Sequence, residues 1–281
     1  MIRRTGGYLQ YRPDDASPAT HHLEEQGYVF VENVFSTQEV AALQQDIQDI
    51  FENSEPDERS ERPIGANNMF RYAMLNRSEL CQQAASHRGV LDIIEPLLGE
   101  DCHVIANTAW RNPANSDDRH NGERWHIDAG PHVPLPEGVT WPDDIPHPVF
   151  AIGVHIYLQE CNLEDGPTGV LPGSHLSGTI PPRDRLLDDD LSYNGQEVVP
   201  LIAKPGDVGF FVSDIWHRRM STQVGDHGRF FLQLHYGRRD IAQRIQPTSQ
   251  VNHLTQAAIS RANTERDKTV IGIHPALFYD G

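Results

Sequence analysis

Between Val149 and Leu158 the chain takes up a two-residue period. Phe150, Ile152, Val154, Ile156 and Leu158 alternate with Ala151, Gly153, His155 and Tyr157, as in a strand whose two faces meet different surroundings. Residues 207–212 and 229–236 are two more apolar strand runs, His103 to Trp110 is another, and residues 166–175 read as a short strand entering a turn. Upstream the period is helical. Ser36-Thr37-Gln38-Glu39 fits a capping box with Ser36 as N-cap, and Val40, Leu43, Ile47 and Ile50 follow at helical spacing, predicting a helix over 37–52. A strand is expected over 27–34. One or two helices are expected over 78–98, stopped by Gly99, with Pro96 kinking the run or marking a new start. Residues 1–20 read as an arm or edge strand, 53–68 and 112–123 as loops, and 181–199 as a surface excursion or lid. Helices first and strands after, with no break in composition, predict one α+β domain over 1–281. It divides into a helical portion about 1–100, a β-rich core about 101–240 and a polar extension over 241–281 with a partial helix near 250–262.

Charge and cysteines narrow the function classes. The net charge is −17 with no Lys/Arg-rich run, whereas nucleic acid and anionic membrane surfaces need a basic footprint. Cys81, Cys102 and Cys161 are sparse, odd in number and unpaired by any Cys-x-x-Cys, which argues for a reducing compartment and against a disulfide framework. No apolar stretch approaches the ~20 residues of a membrane span, and no apolar run follows the first residues as in a signal peptide. The expectation is a soluble, acidic, cytoplasmic globular protein. The sequence carries no sign of its oligomeric state.

The chemistry concentrates around Arg124-Trp125-His126-Ile127-Asp128-Ala129-Gly130. Side chains at i and i+2 of a strand share a face, so His126 and Asp128 can converge on one point. Far downstream, His217 lies in Ser213-Asp214-Ile215-Trp216-His217-Arg218-Arg219, and Arg229 opens the last strong strand. Two imidazoles and one carboxylate make the facial triad of a non-haem Fe(II) site, which leaves three coordination positions open. A bidentate 2-oxo acid fills two and O2 the third. The far carboxylate of that acid needs a planar, permanently charged partner, which Arg provides and Lys does not.

These residues, with Leu171-Pro172-Gly173-Ser174-His175 in the segment Gly166 to His175, resemble the phytanoyl-CoA dioxygenase-like (PhyH) branch of the Fe(II)/2-oxoglutarate-dependent oxygenases over roughly residues 23–237. The resemblance implies a double-stranded β-helix (jelly-roll, cupin-like) core with flanking helices mainly from the N-terminal third. It implies Fe(II), 2-oxoglutarate and O2 as cofactors, His126, Asp128 and His217 as metal ligands, and Arg229 as the anchor of the C5 carboxylate. Thr168, Asn107, Arg111 and Tyr157 are expected to line the same cavity, and Trp110, Trp125 and Arg218 to meet substrate. Because Asp128 is present, hydroxylation or related oxidation is favoured over halogenation. Two other readings stay open: a cupin-like metalloenzyme that uses no 2-oxoglutarate, against which Arg229 argues, and a non-catalytic binding protein, against which the intact triad argues.

Several residues read more plainly. His175, His155 and His235 are expected to be hydrogen-bonded structural histidines, Arg218 and Arg219 surface arginines by default, Asp188 to Asp190 a solvated face, and His21-His22 without a role.

Overall fold

A computed structural model describes residues 16–54, 69–114, 121–128, 130–136, 138–241 and 254–274. Its centre is β4 (Ala151–Tyr157), which pairs antiparallel with β7 (Val208–Val212) on one side and β9 (Arg229–Gly237) on the other. The sheet continues through β3 (His103–Asn112) to β2 (Met69–Tyr72), and beyond β7 to β1 (Tyr28–Val31), giving the order β1-β7-β4-β9-β3-β2. A smaller antiparallel sheet, β6-β5-β8, joins β6 (Val199–Pro200), β5 (Thr168–Val170) and β8 (His217–Arg219). Two antiparallel sheets with helices gathered mainly before them make the jelly-roll core of the 2-oxoglutarate oxygenase fold.

The two-residue period becomes two surfaces. Ile152, Val154 and Ile156 of β4, and Phe230, Leu232, Leu234 and Tyr236 of β9, belong to the large apolar core. That core is shared with Leu43, Ile47 and Phe51 of α2 (Thr37–Asn53) and Leu91 and Ile94 of α5 (Arg88–Leu98). The alternate positions, Gly153, His155 and Tyr157 on β4 and Arg229, Phe231, Gln233 and His235 on β9, point to the smaller sheet. Both faces of these strands are covered, which is why all seven residues of β4 are buried.

Ser36 caps α2 as expected, its hydroxyl accepting from the Glu39 amide while the Glu39 carboxylate accepts from the Ser36 amide. Other expectations change. The N-terminal arm gives way at Pro18 to a helix, α1 (Pro18–Gln26), capped by Ser17 and ended by left-handed Gly27. The first strand stops at Val31, with Asn33 turning at φ 54°. The helical stretch before β3 is three helices, α3 (Met74–Arg77), α4 (Glu79–Ala85) and α5. Pro96 neither starts nor ends one: it lies inside the last turn of α5 and costs that turn one hydrogen bond to the turn before it. The C-terminal extension is not merely polar: α6 (Gln256–Arg261) and α7 (Glu265–Val270) bury Ala258, Val270 and Ile271. Arg266 of α7 bonds Glu95 and the Cys102 carbonyl. The expected loop over 53–68 and the arm before residue 16 lie outside the described residues. No described helix is long and apolar enough to cross a membrane.

His175 acts as the structural histidine expected of it. Its Nε2 donates to the Glu24 carbonyl of α1 at 3.0 Å, tying the Pro172–His175 turn to the first helix. A Cβ at Gly27 would lie 2.4 Å from His175 Nδ1, and the φ of +80° there already disfavours any side chain. Gly27→Ala is therefore expected to lower unfolding stability by about 2 kcal/mol in urea titrations. Burial also lowers the His175 pKa to about 4 from 6.5. Between those values the unfolded chain binds a proton that the folded chain refuses, so stability falls as pH drops from 6.5 toward 4. This one group contributes about 1.4 kcal/mol per pH unit. Urea midpoints at pH 6.5 and 4.5 should fall further in the wild type than in His175→Gln.

Candidate metal centre

Residues 124–128 run alongside β8 rather than forming a strand of their own. The His126 amide donates to the His217 carbonyl and the His217 amide to the His126 carbonyl, each at 3.0 Å. This reciprocal pair sets the two imidazoles side by side, ring centroids 4.3 Å apart. Two residues on, the Asp128 amide donates to the Ser213 carbonyl at 3.0 Å, and the carboxylate Oδ2 comes within 3.6 Å of His217 Nε2. One donor atom from each of His126, Asp128 and His217 lies within 4.8 Å of the other two.

The donor chemistry fits a divalent metal. His126 Nδ1 is 2.8 Å from the Arg124 carbonyl and His217 Nδ1 is 3.0 Å from the Ile215 carbonyl. A carbonyl can only accept, so each Nδ1 carries the hydrogen and each Nε2 lone pair is left to a ligand. Burial, with the neighbouring His217 ring, pushes the His126 pKa down. Burial acts to raise Asp128, but the imidazoles of His235 and His217 outweigh it and hold the carboxyl well below its usual range. Neutral imidazoles and an ionised carboxylate are the states that a metal needs.

The triad opens into a cleft of about 160 Å³ lined by Trp110, Glu123, His155, Thr168, Arg218, Arg219, Arg229, Phe231 and Gln233 as well as its own three residues. Arg229 is 5% exposed, its Nε donating to Asn112 Oδ1 at 3.0 Å and its guanidinium 5.3 Å from the centre of the Phe231 ring. Arg219, two residues past His217 on the same face of β8, is 6% exposed and its Nε has no hydrogen-bond partner. Burial and the adjacent Arg229 together lower its pKa to about 9. Among the described residues no carboxylate forms an ion pair with either guanidinium. Tyr157 is buried behind them, its phenol pKa raised by burial and by Cys161 and opposed by Arg229.

The structure thus brings His126, Asp128, His217, Thr168, Arg218, Arg229 and Trp110 to one cleft. Asn107 and Arg111 do not join them. Trp110 faces inward, its Nε1 donating to Gln233 Oε1 at 2.7 Å, so the odd-numbered neighbours on β3 must face the helices. Asn107 Oδ1 accepts from the Leu75 amide at 3.0 Å, and Arg111 bonds Gln48 of α2. Trp125 is buried against Leu171, Leu191 and Trp216 with its Nε1 on the Asp188 carbonyl, away from the cleft. Arg218 is a buried tie rather than a surface arginine: it donates to the Asn121 and Arg219 carbonyls, sits 3.4 Å from Asp189 and lies over Trp125. The Asp188–Asp190 run therefore secures the 181–199 excursion.

Three further residues stand at or beside the cleft, and His235 is hydrogen-bonded as expected. Arg219 faces the cleft. His155 lines it with neither ring nitrogen hydrogen-bonded, burial and His235 holding its pKa well down. His235 Nε2 donates to Asp128 Oδ2 at 2.7 Å. Their spacing carried the signal, since His155 alternates with the apolar residues of β4, and His235 lies six positions after Arg229 on the same strand face.

The phytanoyl-CoA dioxygenase (PhyH) family model matches residues 23–220. A curated relative, dioxygenase andF from Emericella variicolor, is 23% identical over 241 residues, covering 79% of this chain and 75% of that protein. Among solved structures, the non-heme alpha ketoglutarate dependent epimerase SnoN from nogalamycin biosynthesis is similar at a TM-score of 0.61 and 18% identity, over 85% of this chain and 89% of that one. EctD from S. alaskensis, solved with 2-oxoglutarate and 5-hydroxyectoine, is similar at a TM-score of 0.60 and 22% identity, over 84% and 82%.

Substitutions on the two faces should separate. Asp128→Ala is expected to abolish divalent-metal binding in anaerobic calorimetry. Asn107→Ala should leave metal affinity unchanged while costing about 1–2 kcal/mol of stability through the orphaned Leu75 amide.

Proposed function

The chain belongs to the phytanoyl-CoA dioxygenase family, whose members use Fe(II), 2-oxoglutarate and O2; from that premise we propose that it oxidises an unactivated C–H bond of a small molecule, by hydroxylation. His126, Asp128 and His217 hold the iron, which supplies, with 2-oxoglutarate and O2, the oxidising power for this step and leaves succinate and CO2 as co-products.

The observation that carries the reading is the pair of guanidiniums at the end of the cleft. Two buried cations side by side repel each other and are costly without a counter-ion. Among the described residues no carboxylate lies within ion-pair distance of Arg219 or Arg229, and Glu123 and Asp226 only partly offset the repulsion from further off. An anion bound there removes that cost, and the far carboxylate of a 2-oxo diacid whose other end reaches the triad meets the requirement. Thr168 lies directly across the strand pair from Arg219 and offers a hydroxyl to the same carboxylate. The remaining walls, Trp110, Glu123 and Gln233, combine an aromatic surface with polar groups, which supports a substrate of mixed polarity such as a secondary-metabolite, amino-acid or sugar derivative. SnoN is crystallised with nogalamycin RO and EctD with 5-hydroxyectoine, both small molecules.

Succinate formation from 2-oxoglutarate, followed with Fe(II) in air, tests the reading before any substrate is known. Arg229→Met and Arg219→Met are each expected to raise the 2-oxoglutarate KM by about 10- to 100-fold, the worth of one charge-assisted hydrogen bond, with metal affinity unchanged. Unaltered KM in both variants, or no succinate from metal-loaded wild type, would overturn it.

A further inference from the structure

His235 has a place in the site that metal ligation alone does not explain. It stands on the inner face of β9, its side chain 6% exposed, and it is the group that directly holds the Asp128 carboxylate. Asp128 otherwise follows an isolated bridge and precedes an irregular segment, so its backbone hydrogen bond to Ser213 fixes where the residue is but not which way its carboxylate turns. A carboxylate free to rotate can offer a metal one oxygen, both or neither.

The neighbouring strand is shaped around this imidazole. Gly153 is the residue paired with His235 across β4 and β9. Its backbone is ordinary extended strand, so no positive φ demands a glycine. A Cβ there would lie 2.8 Å from His235 Nε2, the atom that donates to Asp128, and 2.6 Å from the Phe211 ring. Phe211 in turn stands edge-on to His235 and 4.9 Å from the His217 ring. A glycine inside a strand weakens it, and here the vacated volume is taken up by the edge of the Phe211 ring and by the His235 imidazole where it reaches Asp128.

We propose that His235 is a positioning residue for the metal centre: its Nε2–H fixes the plane of the Asp128 carboxylate toward the His126–His217 pair, and Gly153 provides the room for it to do so. With one oxygen held by the imidazole, the carboxylate cannot swing round to chelate through both, and the positions that a co-substrate needs stay open. This rests on the reading of His126, Asp128 and His217 as metal ligands, and adds a second layer to it. Partners that orient a ligating group in this way are typically worth 10- to 100-fold in metal affinity.

The test is an anaerobic Fe(II) titration, repeated with Co(II), of wild type, His235→Leu, His235→Gln and Gly153→Ala, each checked for folding by urea denaturation. His235→Leu is expected to weaken metal binding by 10- to 100-fold while remaining folded. Gly153→Ala, which leaves the imidazole in place but displaces it, should weaken binding by a similar factor. His235→Gln, which returns an N–H at about the reach of Nε2, should recover most of the loss, a rescue that a merely space-filling role does not give. Wild-type affinity in His235→Leu, or a failure of Gln to do better than Leu, would overturn the proposal. Should His235→Leu unfold, wild-type affinity in Gly153→Ala overturns the proposal. Asp128→Ala separates this from the underlying reading: if that variant binds metal as the wild type does, the triad itself is wrong, whatever His235 does.

Discussion

Two backbone hydrogen bonds, from His126 to His217 and back, hold the site together. They join an irregular segment to a short strand far away in sequence, and they set the His126 and His217 side chains side by side. The imidazoles become neighbours because their backbones are paired, and Asp128 follows two residues later on the same side. The larger sheet provides the rigid wall against which this bridge closes. Its outer face is welded to the helices by a continuous apolar core, so the inner face can carry Arg229, Gln233, His155 and His235 without loss of order. Function here occupies the half of each strand that the core does not need.

That division explains the electrostatics. Burial pushes the pKa values of His126 and His155 down, the imidazoles around the Asp128 carboxylate hold its pKa well below the usual range, and the guanidiniums of Arg219 and Arg229 are set beside each other. Such an arrangement is poorly balanced for an empty cleft and well balanced for one holding a cation at one end and an anion at the other. The acidic surface of the chain plays no part in it.

Much of this was legible in the sequence, because strand periodicity and the His-x-Asp spacing are local properties. The capping box at Ser36 and the strands around Val154 and Leu232 follow from short-range patterns, whereas joining His217 and Arg229 to His126 and Asp128 rests on donor chemistry and the family resemblance. Side-chain facing within one strand was harder. Trp110 cannot share a face with Asn107 and Arg111, and only the pairing of β3 with β9 decides which parity turns inward. His235 and Arg219 resemble ordinary polar residues until the partner strand is known, since what distinguishes them is a contact across the fold. The helix at Pro18 and those near the C-terminus are short, and their weak amphipathic patterns acquire meaning only from what they pack on. Arg218 illustrates the converse: a residue suited to bind an anion is already held by Asn121, Asp189 and Trp125.

The central claim is that one end of the cleft binds Fe(II) and the other receives the tail of a 2-oxo diacid chelating that same metal. Visible absorption under anaerobic conditions tests it most directly, because an Fe(II)–2-oxo acid chelate absorbs weakly in the visible and neither component does so alone. The account predicts that adding 2-oxoglutarate to the Fe(II)-loaded protein produces such a band, saturating at one equivalent per chain. Stoichiometric metal binding with no band at any concentration of 2-oxoglutarate would contradict it.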